Sequence, residues 1–248
     1  MKSRIGCFSF SSCEGCQLML LNLEQELLDL LQSVEFVNFR EAIDERRSDY
    51  TIAFVEGSIT RKSEIPELEE IRNNAEFIIA FGTCATLGGI NALKHLHEQT
   101  EATEKVYGDG LPDLDTIPVK RIRDVVQVDY EMHGCPVDKK ELLTVIKKLL
   151  MGVIPRPMEF AICTECKMRG IQCLYERDQV CIGAVTRGGC NAICPAYGSP
   201  CDGCRGFIDN PNIPSVIDVM QGAGLSHEDA IARLTYFNQI GYTELMNQ

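Results

Sequence analysis

Basic residues are scarce in this chain of 248: 24 Lys and Arg stand against 36 Asp and Glu, a net charge of −12. Phosphate binding needs a surplus of cations, so the balance argues against DNA, RNA or anionic lipid as the main partner. Long apolar runs are missing too. The longest, residues 18–31, is interrupted by Asn22, Glu24, Gln25, Glu26 and Asp29, and no segment is expected to span a membrane. The opening Met-Lys-Ser-Arg-Ile-Gly-Cys-Phe has no apolar core with a small-residue cleavage site, and the Arg46-Arg47 pair is internal. Neither a signal peptide nor a twin-arginine signal is expected. No Ser-His-Asp or Cys-His nucleophile set stands out, and there is no repeat or low-complexity tract. What remains, 45% hydrophobic and 24% charged with 20 Gly and 10 Pro, is ordinary globular composition.

Strand and helix patterns alternate through the first 150 residues. Residues 3–10, 34–39, 50–55, 76–81 and 125–128 read as strands, and 17–31, 63–73 and 138–150 as helices. Such alternation predicts an α/β fold with a doubly wound, mostly parallel sheet. Residues 94–118 read as a long polar loop. Composition changes at 152–157, so residues 1–152 are expected to form one domain and 153–248 a second. Up to Gly206 the second is rich in Cys, Gly and Pro, too irregular for a conventional core, and something besides apolar burial must hold it. A helix over 226–237, N-capped by Ser226, closes the chain.

What the sequence has in excess is cysteine, 13 in all. A chain without export signals is expected in a reducing cytosol, where structural disulfides are rare, so metal is the better reading. Cys13 and Cys16 follow the first predicted strand, Cys84 the one ending at Phe81-Gly82, and Cys135 the one near Val128. Ligands of open α/β sheets bind outside the carboxyl ends of the strands. Three distant segments thus deliver four Cys to one sheet edge, a set that suits tetrahedral zinc or a [4Fe–4S] cube. Helix starts next to Cys16 and Cys84 would offer backbone N–H groups to an anionic cluster. Eight more, Cys163, Cys166, Cys173, Cys181, Cys190, Cys194, Cys201 and Cys204, fall within 42 residues and make two further sets of four. Cys7, inside the first strand, is expected to be a small core residue. Spacing alone leaves zinc and iron–sulfur open, with the long uneven gaps favouring cubes over fingers.

The motifs together resemble the small subunit of [NiFe] hydrogenases along nearly the whole chain. Cys13-Glu-Gly-Cys16, Gly82-Thr-Cys84-Ala and Gly134-Cys135-Pro136 match that family's proximal-cluster segments, and Val55-Glu56-Gly57-Ser58 its EG segment. Cys173-Leu-Tyr, Cys181-Ile-Gly and Gly198-Ser-Pro-Cys201-Asp-Gly-Cys204 match its C-terminal iron–sulfur domain. The resemblance implies a flavodoxin-like domain followed by a mostly irregular iron–sulfur domain with a C-terminal helix. It implies three [4Fe–4S] clusters: proximal on Cys13, Cys16, Cys84 and Cys135; distal on Cys163, Cys166, Cys173 and Cys181; medial on Cys190, Cys194, Cys201 and Cys204. Exported members have a His at the position of Cys163, and their medial cluster commonly has three Cys; complete thiolate sets look like the cytosolic members. The implied role is electron transfer between the Ni–Fe centre of a large subunit and a flavin or iron–sulfur acceptor subunit, in the cytoplasm, with no nucleic acid and no membrane. Glu56 would tune the proximal cluster or relay protons, unless it is only a solvated cap. Two other readings remain: a zinc-stabilised interaction module, and the iron–sulfur subunit of a quinone-reductase-type complex. The latter family has adjacent Cys-Cys in place of Cys13 and Cys16 and lacks the eight-Cys extension. Among other polar residues, His133 is expected to be a surface or hydrogen-bonding imidazole rather than an alternative ligand, His95 and His97 solvated, and Arg121 and Arg123 either contacts to the large subunit or simply exposed.

Overall fold

The apolar runs form seven strands in the computed structural model, which describes residues 2–108 and 115–247. They are β1 (Ser3–Ser9), β2 (Val34–Phe39), β3 (Ile52–Glu56), β4 (Ile59–Arg61), β5 (Phe77–Phe81), β6 (Thr116–Lys120) and β7 (Tyr130–Met132). Five pair in parallel in the order β2-β1-β3-β5-β7, while β4 and β6 make a separate antiparallel pair. With that pair set aside the order is the 2-1-3-4-5 of flavodoxin-like sheets. Helices of this part are α1 (Gly15–Leu21), α2 (Gln25–Leu30), α3 (Glu64–Asn74), α4 (Thr83–Leu87), α5 (Gln99–Tyr107) and α6 (Lys139–Leu150).

The two-residue period of a strand splits the central residues between two apolar layers. Ile52, Phe54, Ile79 and Phe81 pack on one face with Leu20 of α1 and with Leu142, Val145, Ile146 and Leu149 of α6. Ala53, Val55, Ile78 and Ala80 pack on the other with Leu68 and Ile71 of α3. Every residue of β3 is buried, as a central parallel strand with both faces covered requires.

Three expectations are corrected. Residues 17–31 form two helices, because Glu24 takes φ 54° and breaks the run between α1 and α2. Residues 125–128 are no strand: a 3₁₀ turn over Ile122–Asp124, closed by Arg121 and Asp124, precedes them, and the strand is the short β7 beyond. Residues 94–118 are no simple loop, since α5 and the start of β6 lie within them; 109–114 are outside the described residues.

The chain divides into two compact units, Met1–Arg156 and Pro157–Gln248. The second contains α7 (Ile162–Met168), α8 (Ile193–Ala196), α9 (Ile213–Gly222), α10 (His227–Thr235) and α11 (Gln239–Met246), three C-terminal helices where one was expected. Ser226 Oγ accepts the Asp229 N–H at 3.0 Å and caps α10 as expected. A small apolar core of Val180, Ile182, Val185, Phe207, Met220, Leu234 and neighbours joins these helices to the Cys-rich segment. Among the described residues no helix is long and apolar enough to cross a membrane.

Candidate metal centres

Pairing continues past the carboxyl ends of β1 and β3. The Phe10 N–H donates to Glu56 O at 2.9 Å, and Ser11 and Ser58 exchange N–H···O bonds of 3.2 and 3.1 Å. So close an approach needs Gly57, whose φ is +95° and whose added Cβ would stand 2.8 Å from the Phe10 carbonyl carbon. This clamp leads the chain directly into Cys13. Across the sheet, the Gly82 N–H donates to Met132 O at 2.8 Å and the Thr83 N–H to Gly134 O at 2.9 Å, tying the Cys84 loop to the Cys135 loop. Three sulfurs rest against glycine: a Cβ at Gly82 would overlap Cys16 Sγ, at Gly89 would lie 3.1 Å from Cys84 Sγ, and at Gly15 3.3 Å from Cys13 Sγ.

Cys13, Cys16, Cys84 and Cys135 are thereby gathered, and they feel one another. Burial raises the Cys16 thiol, aided by the charges of Glu56 and Cys135. Burial pushes Cys84 up to about 12, with Cys135, Cys13 and Glu56 adding to it. Cys135 is raised by burial, then by Cys13 and Glu56. Such mutual opposition to ionisation is relieved by a cationic metal centre, which binds thiolates and expels their protons. The donor set fits an iron–sulfur cluster: four thiols, glycine cradles, and beside Cys16 a Gln17 side chain, 1% exposed, whose Oε1 and Nε2 find no hydrogen-bond partner. Among the described residues no three of His, Cys, Asp or Glu meet in a way that holds a single metal ion.

Glu56 ends β3 and is buried, so it is no solvated cap. Its Oε1 accepts the Cys16 N–H and its Oε2 the Gln17 N–H, both at 3.1 Å. Burial raises its pKa and the two amides oppose the rise. The carboxylate thus takes two N–H groups at the start of α1 that were expected to face a cluster. It fixes the backbone that carries Cys16.

In the second unit, Cys163 and Cys166 lie on α7. A Cβ at Gly183 would meet Cys181 Sγ at 3.5 Å and Cys163 Sγ at 3.6 Å, so one glycine borders both sulfurs. Burial pushes Cys166 up to about 11, with Cys163, Cys181, Glu165 and Cys173 adding to it; burial, Cys181 and Cys173 raise Cys163. Cys201, nearly enclosed, is raised by burial, then by Cys181 and Cys204. Burial, Asp202 and Cys181 raise Cys194. Cys181 stands at the junction of the two groups, its Sγ accepting the Cys201 N–H at 3.2 Å.

Two charged residues that the sequence does not single out organise this region. Glu165, between Cys163 and Cys166, accepts the N–H groups of Gly189 at 2.7 Å and Ala192 at 2.8 Å, on either side of Cys190. Arg205, directly after Cys204, is 2% exposed and its Nε donates to Gly188 O at 2.7 Å. A Cβ at Gly189 would stand 2.9 Å from the Arg205 Cζ. Burial raises the Cys190 thiol; the Ile193 amide and then Arg205 oppose the rise, and Glu165 adds to it less strongly. The signal in the sequence is their placement among the clustered cysteines.

Other residues settle simply. Cys7 is a core residue of β1, as expected. His133 is buried, with Nδ1 2.8 Å from Thr86 Oγ1. The same hydroxyl lies within hydrogen-bond reach of Gly82 O at 3.1 Å. Arg121 is buried rather than exposed, paired with Asp124 at 2.8 Å, while Arg123 pairs with Glu131 at 2.9 Å.

Residues 13–149 match the family described as NADH ubiquinone oxidoreductase, 20 Kd subunit. The chain is 36% identical over 220 residues to the delta subunit of sulfhydrogenase 2 of Pyrococcus furiosus, an alignment spanning 88% of this chain and 92% of that one. It is 28% identical over 170 residues to the delta subunit of the NAD-reducing hydrogenase HoxS of Cupriavidus necator, covering 61% of this chain and 80% of that one. Among solved structures, a chain of an NAD+-reducing [NiFe]-hydrogenase in the H2-reduced state superposes with a TM-score of 0.56 at 26% identity, over 63% of this chain and 95% of that one.

Proposed function

The chain belongs to the family of the NADH ubiquinone oxidoreductase 20 Kd subunit and is related to the delta subunits of hydrogenases; from that premise we propose that it is the electron-transfer small subunit of a cytoplasmic [NiFe] hydrogenase. The observation that carries the reading is the gathering of Cys13, Cys16, Cys84 and Cys135 at one sheet edge, three of their sulfurs cradled by glycine. These four hold a proximal [4Fe–4S] cluster within residues 1–152. Within 153–248, Cys163, Cys166, Cys173 and Cys181 hold a distal cluster, and Cys190, Cys194, Cys201 and Cys204 a medial one. Bound there, the clusters supply one-electron transfer at the low potentials that all-thiolate ligation favours.

The chain's own residues shape the route. Cys13 and Cys135 are the exposed thiols of the proximal set, so this edge faces the Ni–Fe centre of the large subunit. Cys173 is the exposed thiol of the distal set, which makes it the exit toward a flavin or iron–sulfur acceptor subunit. Glu56 and Glu165 hold the backbones of Cys16 and of the Cys190 loop, so charge arrives at sites that need little rearrangement. The family's description favours a second reading, a subunit of a quinone-reductase-type complex. Against it stand the spaced Cys13 and Cys16, and eight Cys beyond the matched residues 13–149.

The test is iron and acid-labile sulfide per chain on anaerobically purified material, with co-purifying partners identified. About twelve iron atoms, at four per cluster, and a larger nickel-containing partner are expected. Zinc without sulfide would overturn the reading and leave a scaffold. Roughly four iron atoms per chain would keep the proximal site and break the assignment of the C-terminal eight.

A further inference from the structure

We propose that Arg169 is a positioning residue which, with Glu165 one turn earlier, locks the peptide unit between Asn191 and Ala192 and so fixes where the Cys190 sulfur stands. The inference rests on the ligand assignment just given and concerns the loop that presents one of those ligands. The two residues after Cys190 both take positive φ, 57° at Asn191 and 47° at Ala192. Asparagine visits the left-handed region readily, but alanine is disfavoured there by roughly tenfold, its Cβ crowding a carbonyl oxygen. Ala192 is also fully enclosed, in a small group with Ile162 and Cys201 against which Cys166, Cys181 and Cys190 pack. A loop bent this way against its own preference needs to be held.

Both grips come from one helix and close on one peptide bond. The Arg169 N–H donates to Glu165 O at 3.0 Å, so the two side chains stand a turn apart on the same face. Glu165 accepts the Ala192 N–H at 2.8 Å, and Arg169 Nη1 donates to Asn191 O. That N–H and that carbonyl are the two ends of a single planar unit. Rotating the unit by half a turn would take Ala192 out of the left-handed region. It would also turn the carbonyl oxygen toward a carboxylate and the N–H toward a guanidinium, setting acceptor against acceptor and donor against donor. Opposite charges thus key the peptide to one orientation, where a single partner would leave its other end free.

The experiment follows the paramagnetic signal of the Cys190 set in the reduced, assembled complex while a chelator bleaches it, the signal being assigned by its loss in Cys190→Ser. Arg169 is exposed, so Arg169→Lys, Arg169→Met and Arg169→Glu test its charge without opening the interior. Loss of one charged donor in Arg169→Met is expected to speed bleaching by about fivefold. Arg169→Glu, which sets a carboxylate against the Asn191 carbonyl, should be faster again. Arg169→Lys keeps a charged donor and should stay within about twofold of the unmodified complex. The proximal signal should bleach at one rate throughout. Equal rates for the three variants, or no acceleration in Arg169→Met and Arg169→Glu, would overturn the proposal, because a side chain that merely covers surface does not sort its replacements by charge. Should Arg169→Glu not assemble, the difference between Arg169→Met and Arg169→Lys decides alone. An iron count near eight in the unmodified protein would instead overturn the assignment beneath, and the proposal with it.

Discussion

Replacing Glu56 separates a positioning role from a merely electrostatic one. Its two oxygens accept the amides of Cys16 and Gln17 at 3.1 Å each, in a site 2% exposed. Hydrogen bonds to a charged group contribute about 1.5–3 kcal/mol each, so the pair supplies roughly 3–6 kcal/mol gross. Burying the carboxylate offsets part of that, as its raised pKa attests. Glu56→Ala should therefore loosen the first turn of α1 by about 2–3 kcal/mol. Glu56→Gln is not conservative here, since an NH2 donor then faces one of the two N–H donors, leaving that amide unsatisfied at a cost of about 1–3 kcal/mol. Hydrogen exchange of the amides over Gly15–Leu21 in the full chain reads the effect locally. Each 1.36 kcal/mol is tenfold in exchange rate, so acceleration of at least roughly 30-fold is expected for Ala and about 5-fold or more for Gln. A Gln variant exchanging like the wild type would refute the two-amide argument.

Three other substitutions probe particular geometry. Gly82→Ala places a methyl on Cys16 Sγ at φ +88°, and the anaerobically purified chain should lose about four of its roughly twelve iron atoms while the C-terminal signals persist. Cys7→Ala should leave the iron count unchanged and cost about 1 kcal/mol in urea unfolding, with Cys7→Ser costing about 1–3 kcal/mol more for a buried hydroxyl; iron loss in either would make Cys7 a ligand. Glu24→Gly relieves a left-handed backbone at an exposed position between α1 and α2, and should stabilise by about 1 kcal/mol; a fall in the unfolding midpoint would refute the strain.

The strands and most helices were legible because their apolar residues recur at the period of the element. Leu142, Val145, Ile146 and Leu149 mark one face of α6, and β3 reads as a continuous buried run. The failures have physical causes. Val125, Val126 and Val128 look like a strand but pack half-buried beside the α3-side apolar layer after a turn closed by Arg121 and Asp124. The true strand β7 has only three residues, too few for alternation to show. The break at Glu24 carries no glycine to announce it, and α5 buries none of its residues, so its composition reads as loop. The thiols were found because strand ends in a doubly wound sheet share one edge. Glu165, Arg205 and Gln17 were not, since their importance depends on which amide, carbonyl or sulfur each meets, and pairings that span residues 165 and 189–192 leave no periodic trace.

The Glu165 contact also governs how the second unit comes apart. One carboxylate on the helix that carries Cys163 and Cys166 grips the amides flanking Cys190, and the Cys201 amide leans on the sulfur of Cys181. Neither group of four thiols can be dismantled without releasing donors that the other keeps in place. With clusters on both groups, as proposed, their loading and loss are expected to be cooperative.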